Sequence, residues 1–392
     1  MKTSIYMTAS ALFLSAFAPM AALGQIAVSA NDGKQPRPGE TAAARTADTI
    51  SIIDMRRYPP RTLATIEAPA SMIGPPRAVA VARGGRFALV SAAQRLNAAG
   101  AIEPNDGVSL IDLGRPDMPR VAQTVHAGPG ASGVSINRAG TLALVASTDD
   151  DTISIFSIAG GRLTPAGKLQ LPAKTRPTDV AFAPDGKSAL AVGQGANKLI
   201  ELAVTGDKVV PTGREITPGR QPYGVVFSPD GRHAYNTNLG GNLPPPGAPP
   251  VAPGTPRQGT VSATDLATGR VTSIEVGQTP EHLTLSPDGA YMAVVVLNGS
   301  NALPSAPGYN PRGFLRVYGV RGDVLKLVAE TESGAWCQGA TFSDDGRALL
   351  LQCAMEKEIE VYRFDGGTLT RDPAATLRFT ARPGAIAAAP SR

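Results

Sequence analysis

Apolar positions in this chain alternate with polar or small ones over runs of five to eight residues, and the runs end at Gly, Pro, Asp or Asn. Thr152-Ile-Ser-Ile-Phe156, Leu199-Ile-Glu-Leu-Ala-Val204 and Arg270-Val-Thr-Ser-Ile-Glu-Val276 show the pattern. Period two sends successive side chains to opposite faces of a strand, and the Val, Ile and Thr content suits a pleated surface. The 3.6-residue period of a buried helix is essentially absent, so the chain reads as all-β.

The runs belong to a repeat. Pro177-Thr-Asp-Val-Ala-Phe-Ala-Pro-Asp-Gly186, Pro222-Tyr-Gly-Val-Val-Phe-Ser-Pro-Asp-Gly231 and Pro280-Glu-His-Leu-Thr-Leu-Ser-Pro-Asp-Gly289 are its clearest copies. Asp-Gly between alternating runs predicts a hairpin, because Gly accepts the positive φ that a side chain resists. The turn glycines Gly85, Gly140, Gly186, Gly231, Gly289 and Gly346 stand 45 to 58 residues apart. About 45 residues accommodate four short antiparallel strands, A to D, which make one propeller blade.

Six such units leave open sheet edges, which invite aggregation. The chain ends supply what is missing: Gln25–Ser29, Thr49–Ile53 and Thr62–Glu67 as strands B, C and D, and Gly384–Ala389 as strand A. The expectation is one domain over residues 25–392, a seven-bladed β-propeller whose closing blade is shared between the N-terminal strands and the C-terminal strand. Extra residues at 31–47, 92–107, 241–259 and 298–313 fall between strands B and C. These B–C loops should share one face, the top, with the D-to-A connections, as binding loops of repeat proteins do. The Pro-rich stretch at 243–256 reads as a stiff exposed loop.

Composition changes the picture little. With 43 Gly and 35 Pro the chain is turn-rich, and a formal charge of +5 without a basic run argues against a nucleic-acid partner. Residues 1–24 carry Lys2, an apolar stretch and Ala22-Leu-Gly24, which predict a cleaved export signal rather than a membrane span. The mature protein is expected in the periplasm or outside the cell, with no membrane insertion. That destination suits Cys337 and Cys353, placed symmetrically about Asp344-Asp345-Gly346 and so opposite each other on neighbouring strands. A disulfide there closes a loop of about 15 residues and is worth roughly 3 kcal/mol in the chain-entropy view.

The residues that begin each strand A should face the mouth of the central channel. They are Arg77, Ser132, Thr178, Tyr223, Glu281 and Gln338, with Asp179 and His282 one step on, and Trp336 and Arg382 in the preceding connections. His282 is one of three histidines and is a candidate base, although a hydrogen-bonded structural imidazole is the plainer reading. No Gly-x-Ser-x-Gly elbow, paired-His zinc motif or phosphate-cradling glycine loop occurs. Asp149-Asp150-Asp151 without a second ligand set reads as a solvated hairpin rather than a Ca²⁺ site. No metal and no cofactor are expected.

Tyr235-Asn-Thr-Asn238, with Thr152-Ile-Ser-Ile-Phe156 and Thr49-Ile-Ser-Ile-Ile-Asp54, resembles the bacterial seven-bladed propellers with Tyr-Val-Thr-Asn repeats, over almost all of the chain after residue 24. That superfamily includes lactonase-like propellers and the heavy subunit of methylamine dehydrogenase. Asn238-Leu-Gly240 stands where the lactonase-like branch tends to have Asp-Leu-Gly, and Thr279-Pro-Glu-His282 where it tends to have Gly-Pro-Arg-His. His282 is retained, while an acid and a base are replaced.

Three functions remain open. The first is a binding module that holds a protein or small ligand on its top face, using Tyr223, Asn238, Asp179, Gln338 and Trp336. The second, implied by the resemblance, is a lactone hydrolase using His282 with Glu281 and Arg77 or Arg382. The third is an accessory subunit of a periplasmic redox enzyme.

Overall fold

The computed structural model describes residues 25–35, 45–72, 75–242 and 256–390. The expected leader, residues 1–24, and most of the Pro-rich stretch lie outside the described residues. The rest is seven antiparallel sheets, each with strands in the order A-B-C-D. Blade 1 joins Arg382–Ala388 from the C-terminal end to Ile26–Asp32, Thr49–Asp54 and Arg61–Glu67, so the closing blade is shared as the sequence predicts. Each strand A touches the strand A of the next blade all the way round, which places these strands about the central channel.

Alternation explains the packing. In blade 4, strand B (Ser188–Gly193) sends Ala189 and Ala191 toward blade 3, and Leu190 and Val192 toward blade 5. Every junction between neighbouring blades, including that between blades 7 and 1, holds its own apolar cluster, seven in all. Both faces of each blade are therefore buried, and a one-residue slip in register would exchange the contents of two cores. The six Asp-Gly, Gly-Gly, Ala-Gly or Asp-Asp-Gly turns between strands A and B place their last glycine at φ 68° to 71°.

Several boundaries differ from expectation. Residues 92–107 are not a loop: strands B (Phe87–Leu96) and C (Ile102–Asp112) of blade 2 run on as a hairpin closed by Asn97 and Ala101. Polar residues such as Gln94 and Glu103 can extend a ladder where no neighbouring blade demands burial, which hides the strand from a hydrophobic pattern. Arg382 begins strand A of blade 1 instead of preceding it. In blade 7 strand D is broken into Leu369–Arg371 and Leu377–Arg378 by a single turn over Pro373–Ala375, where proline removes a ladder donor. Cys337 and Cys353 are paired across strands A and B and joined by the disulfide.

Candidate functional site at the channel mouth

The B–C turns and D-to-A connections do lie on one face, because they bond to each other: Gly195 N donates to Thr175 O, Leu239 N to Gln221 O and Leu297 N to Thr279 O, at 2.9 to 3.0 Å. On this face the strands A begin, and six of the seven shift register in their first residues. A bulge re-aims a side chain that regular pleating would send between blades. The residue just before the strand is left-handed as well, with φ 47° at Arg176, 51° at Gln221, 55° at Thr279 and 49° at Trp336. Non-glycine residues held there cost about 1–2 kcal/mol each.

Arg77, from blade 2, reaches across the channel. Its Nε lies 2.7 Å from Asp179 Oδ2 of blade 4, off the line of the N–H and therefore a charge contact rather than an aligned hydrogen bond. Its Cδ passes so near Gly224 of blade 5 that a Cβ there would sit 3.2 Å away. Gly133 of blade 3 is tighter, since a Cβ would fall 2.6 Å from the Asp179 Cα. The two glycines clear the space through which the bridge passes.

Asp179 is buried and also accepts from Val180 N at 2.8 Å and Val225 N at 2.9 Å. Burial nevertheless outweighs Arg77 and these amides, and its pKa rises to about 6. Glu281 is pushed up to about 7 by burial alone, and its Oε2 has no protein partner. His282 donates from Nε2 to Ala340 O at 3.1 Å, since a carbonyl can only accept. Its Nδ1 is thereby left as an enclosed acceptor without a partner. Burial, and then the charge of Arg77, push the imidazole down to about 3, so it is neutral at physiological pH. Gln338 is fully enclosed with neither amide atom paired. Tyr223 is partly exposed, and its hydroxyl is held well above its usual pKa by burial and the nearby Glu281 and Asp179 charges.

Arg77, Asp179, Tyr223, Glu281 and His282 lie within electrostatic reach of one another, and Gln338 is enclosed at the start of the neighbouring strand A, Cys337–Phe342; the other candidates are engaged elsewhere. Asn238 is enclosed within blade 5: its amide donates to Thr260 Oγ1 and Ser262 Oγ and accepts from Asn236. Asn31 makes the same bracket in blade 1, to Thr49 and Ser51. Arg382 is occupied by the carbonyls of Gln35, Ala354 and Met355, which ties two B–C loops together. Trp336 is half-buried on the connection, its main-chain N–H donating to Ser300 Oγ. Asp151 caps Lys174 N and Arg176 N, and Asp150 binds Thr152 and Lys168, as in a hairpin loop. Sequence reasoning missed Gln352, enclosed beside Gly339, whose Nε2 bonds Ser29 and Ala385 across the closure while Oε1 stays unpaired. It sits in an unremarkable strand B, and no repeat position marks it.

A cleft of about 540 Å³ opens on the opposite face between blades 7 and 1. Its arginines are partly committed, Arg56 to Asp54 at 2.7 Å and Arg363 over the Tyr58 ring at 3.8 Å.

No protein-family profile matches the chain, and no curated protein matches it significantly. Solved structures do. A candidate 6-phosphogluconolactonase from Bacteroides fragilis superposes with TM-score 0.66 at 18% identity, over 95% of this chain and 99% of that one. The fold is that of a seven-bladed β-propeller. The periplasmic gluconolactonase of Pseudomonas aeruginosa shares the propeller fold at TM-score 0.61 and 16% identity, over 93% of this chain and 98% of that one. The hydrazine synthase of Kuenenia stuttgartiensis matches less of it, at TM-score 0.56 and 18% identity, over 76% of this chain and 78% of that one. At these identities the likeness is one of fold, and a propeller scaffold does not by itself carry an activity.

Proposed function

We propose that the channel mouth is a small-molecule site and that the protein opens a lactone by hydrolysis. The observation that carries this reading is the presence of enclosed, unpaired polar atoms at the start of the neighbouring strands A of blades 6 and 7, at Glu281, His282 and Gln338. Buried polar atoms without partners cost about 1–3 kcal/mol each, and they concentrate where a ligand is to be held. Glu281, ionising near 7, is the group suited to take a proton from water. His282 is a poor base at about 3, and serves as an acceptor that orients a ligand hydroxyl or the attacking water. Arg77, anchored by Asp179, is the charge that can stabilise the oxyanion formed when water adds to the lactone carbonyl. Among the structural neighbours are proteins named as lactonases, which supports the hydrolase reading.

The test is turnover of a panel of sugar and aliphatic lactones by protein lacking residues 1–24, with Glu281→Gln beside it. Hydrolysis abolished in the variant is the expected result. No turnover on any substrate, or turnover indifferent to Glu281, removes the reading. Export to the periplasm or beyond is part of the proposal, supported by the leader and by the disulfide; the intact mass of the protein from its native host should begin at Gln25.

A second reading, a protein-binding top face, draws on Ile102, Leu303 and Tyr309, which are exposed on the elaborated B–C segments. A partner captured from periplasmic extract and lost in Ile102→Ser/Leu303→Ser would support it; capture indifferent to these residues would not.

A further inference from the structure

We propose that the channel mouth selects an uncharged, hydroxyl-rich ring and rejects the same ring bearing a phosphate. This rests on reading the channel mouth as the ligand site, but not on hydrolysis occurring there.

The argument is one of charge balance. Among the described residues that begin the strands A and reach the channel, Arg77 is the cation, and Asp179 already sits against it at 2.7 Å. Asp179 is itself pinned by the amides of Val180 and Val225, so it cannot readily withdraw. Arg382, the other arginine considered for this mouth, is turned to three main-chain carbonyls. His282 is neutral and Tyr223 stays protonated. The set therefore carries no net charge when Glu281 is protonated and one negative charge when it is not. A phosphate brings about −1.5 to −2 charges at neutral pH. It would meet a single cation, Arg77, whose charge Asp179 already offsets from behind, with Glu281 close by, in an enclosed place where water screens poorly.

What the site does offer is neutral hydrogen bonding. His282 Nδ1 accepts, the Gln338 amide presents one donor group and one acceptor side by side, and Glu281 Oε2 does either according to its proton. A hydroxyl both donates and accepts, so a ring with several hydroxyls can satisfy all of these atoms. A site built on unpaired buried groups also rejects analogues that leave them unpaired. Selection against the anion is thus as much a matter of Asp179 offsetting the charge of Arg77 as of contacts to the neutral ring.

Isothermal titration with 1,5-anhydroglucitol and with its 6-phosphate tests this on protein lacking residues 1–24, because neither probe can be hydrolysed as a lactone. The neutral probe should bind at least about tenfold more tightly. Asp179→Asn, which releases the charge of Arg77, should narrow that gap about tenfold, and Arg77→Gln added to it should restore the gap. Should Asp179→Asn fail to fold, Glu281→Gln removes the other carboxylate and should narrow the gap several-fold. Tighter binding of the phosphate by the native protein, binding of neither probe, or a gap unmoved by every carboxylate change would overturn the proposal. Neutral-probe binding by a protein that turns over no lactone would leave this selectivity standing while removing the hydrolase reading.

Discussion

Glu281 and His282 are neighbours in sequence with opposite responses to the same burial. A carboxylate loses its charged form on desolvation and its pKa rises; an imidazolium loses its charged form and its pKa falls. If Glu281 is the base, kcat/KM rises with pH through about 7 as its carboxylate appears. Glu281→Gln should remove that limb and lower kcat by about 10²–10⁴, as read from a pH–rate profile. Linkage to stability has the reverse sense. Glu281 in the folded chain keeps its proton up to about 7, whereas the unfolded chain releases it near the ordinary 4.5, so this group makes stability fall as pH rises between the two values. Urea midpoints at pH 5 and 7.5 should differ less in Glu281→Gln than in the native protein. Gly133→Ala should cost about 1–3 kcal/mol, because the Asp179 backbone cannot yield. Gly224→Ala presses most closely on the flexible Cδ of Arg77 and should cost less while displacing the Arg77 bridge; paired thermal melts would show the difference.

At the scale of the element, the start of strand A is where repeat geometry turns into a site. A left-handed residue turns the chain in, and a bulge then aims one or two side chains at the channel. Thr279 is the most strained of these, being β-branched at φ 55°. Thr279→Gly should therefore raise stability by up to about 1 kcal/mol in chemical denaturation, while loosening the aim of Glu281 and His282 and raising KM. In blade 7 the disulfide joins the first residue of strand A to the last of strand B, directly beside Gln338. Replacing both cysteines with serine should lower stability by about 3 kcal/mol, measured by guanidinium unfolding. A change below about 0.5 kcal/mol would show that the packing of Cys337 and Cys353 in the core, and not the bond, holds this end of the blade.

The ring as a whole depends on blade 1. Its strand A comes from Arg382–Ala388, and Gln352, Arg382 and the cluster of Ala27, Ile53, Leu350 and Ile386 stitch that strand to both neighbours. Ending the chain at residue 381 should expose strand edges on both sides of the gap. The expected outcome is loss of a single cooperative unfolding transition, with aggregation on size-exclusion chromatography. A truncated chain that stays monomeric and melts cooperatively would show that six blades close without it.

The sequence by itself determined the all-β class, the seven-fold repeat, the shared closing blade and the Cys337–Cys353 pair. These follow from local periodicity, from turn residues such as Gly186 and Gly231, and from the symmetry of a hairpin about Asp345, all visible along the chain. Which candidates meet was decided only by tertiary structure. Asp179 and Glu281 look alike in sequence, yet one is paired with an arginine from two blades away and the other is alone. Asn238 looks like a site residue, yet it is consumed by Thr260 and Ser262. Polar partners are chosen by distance across a closed ring, and nothing in the local sequence records that distance. The same holds for pKa, because burial is a property of the assembled blades rather than of the residue.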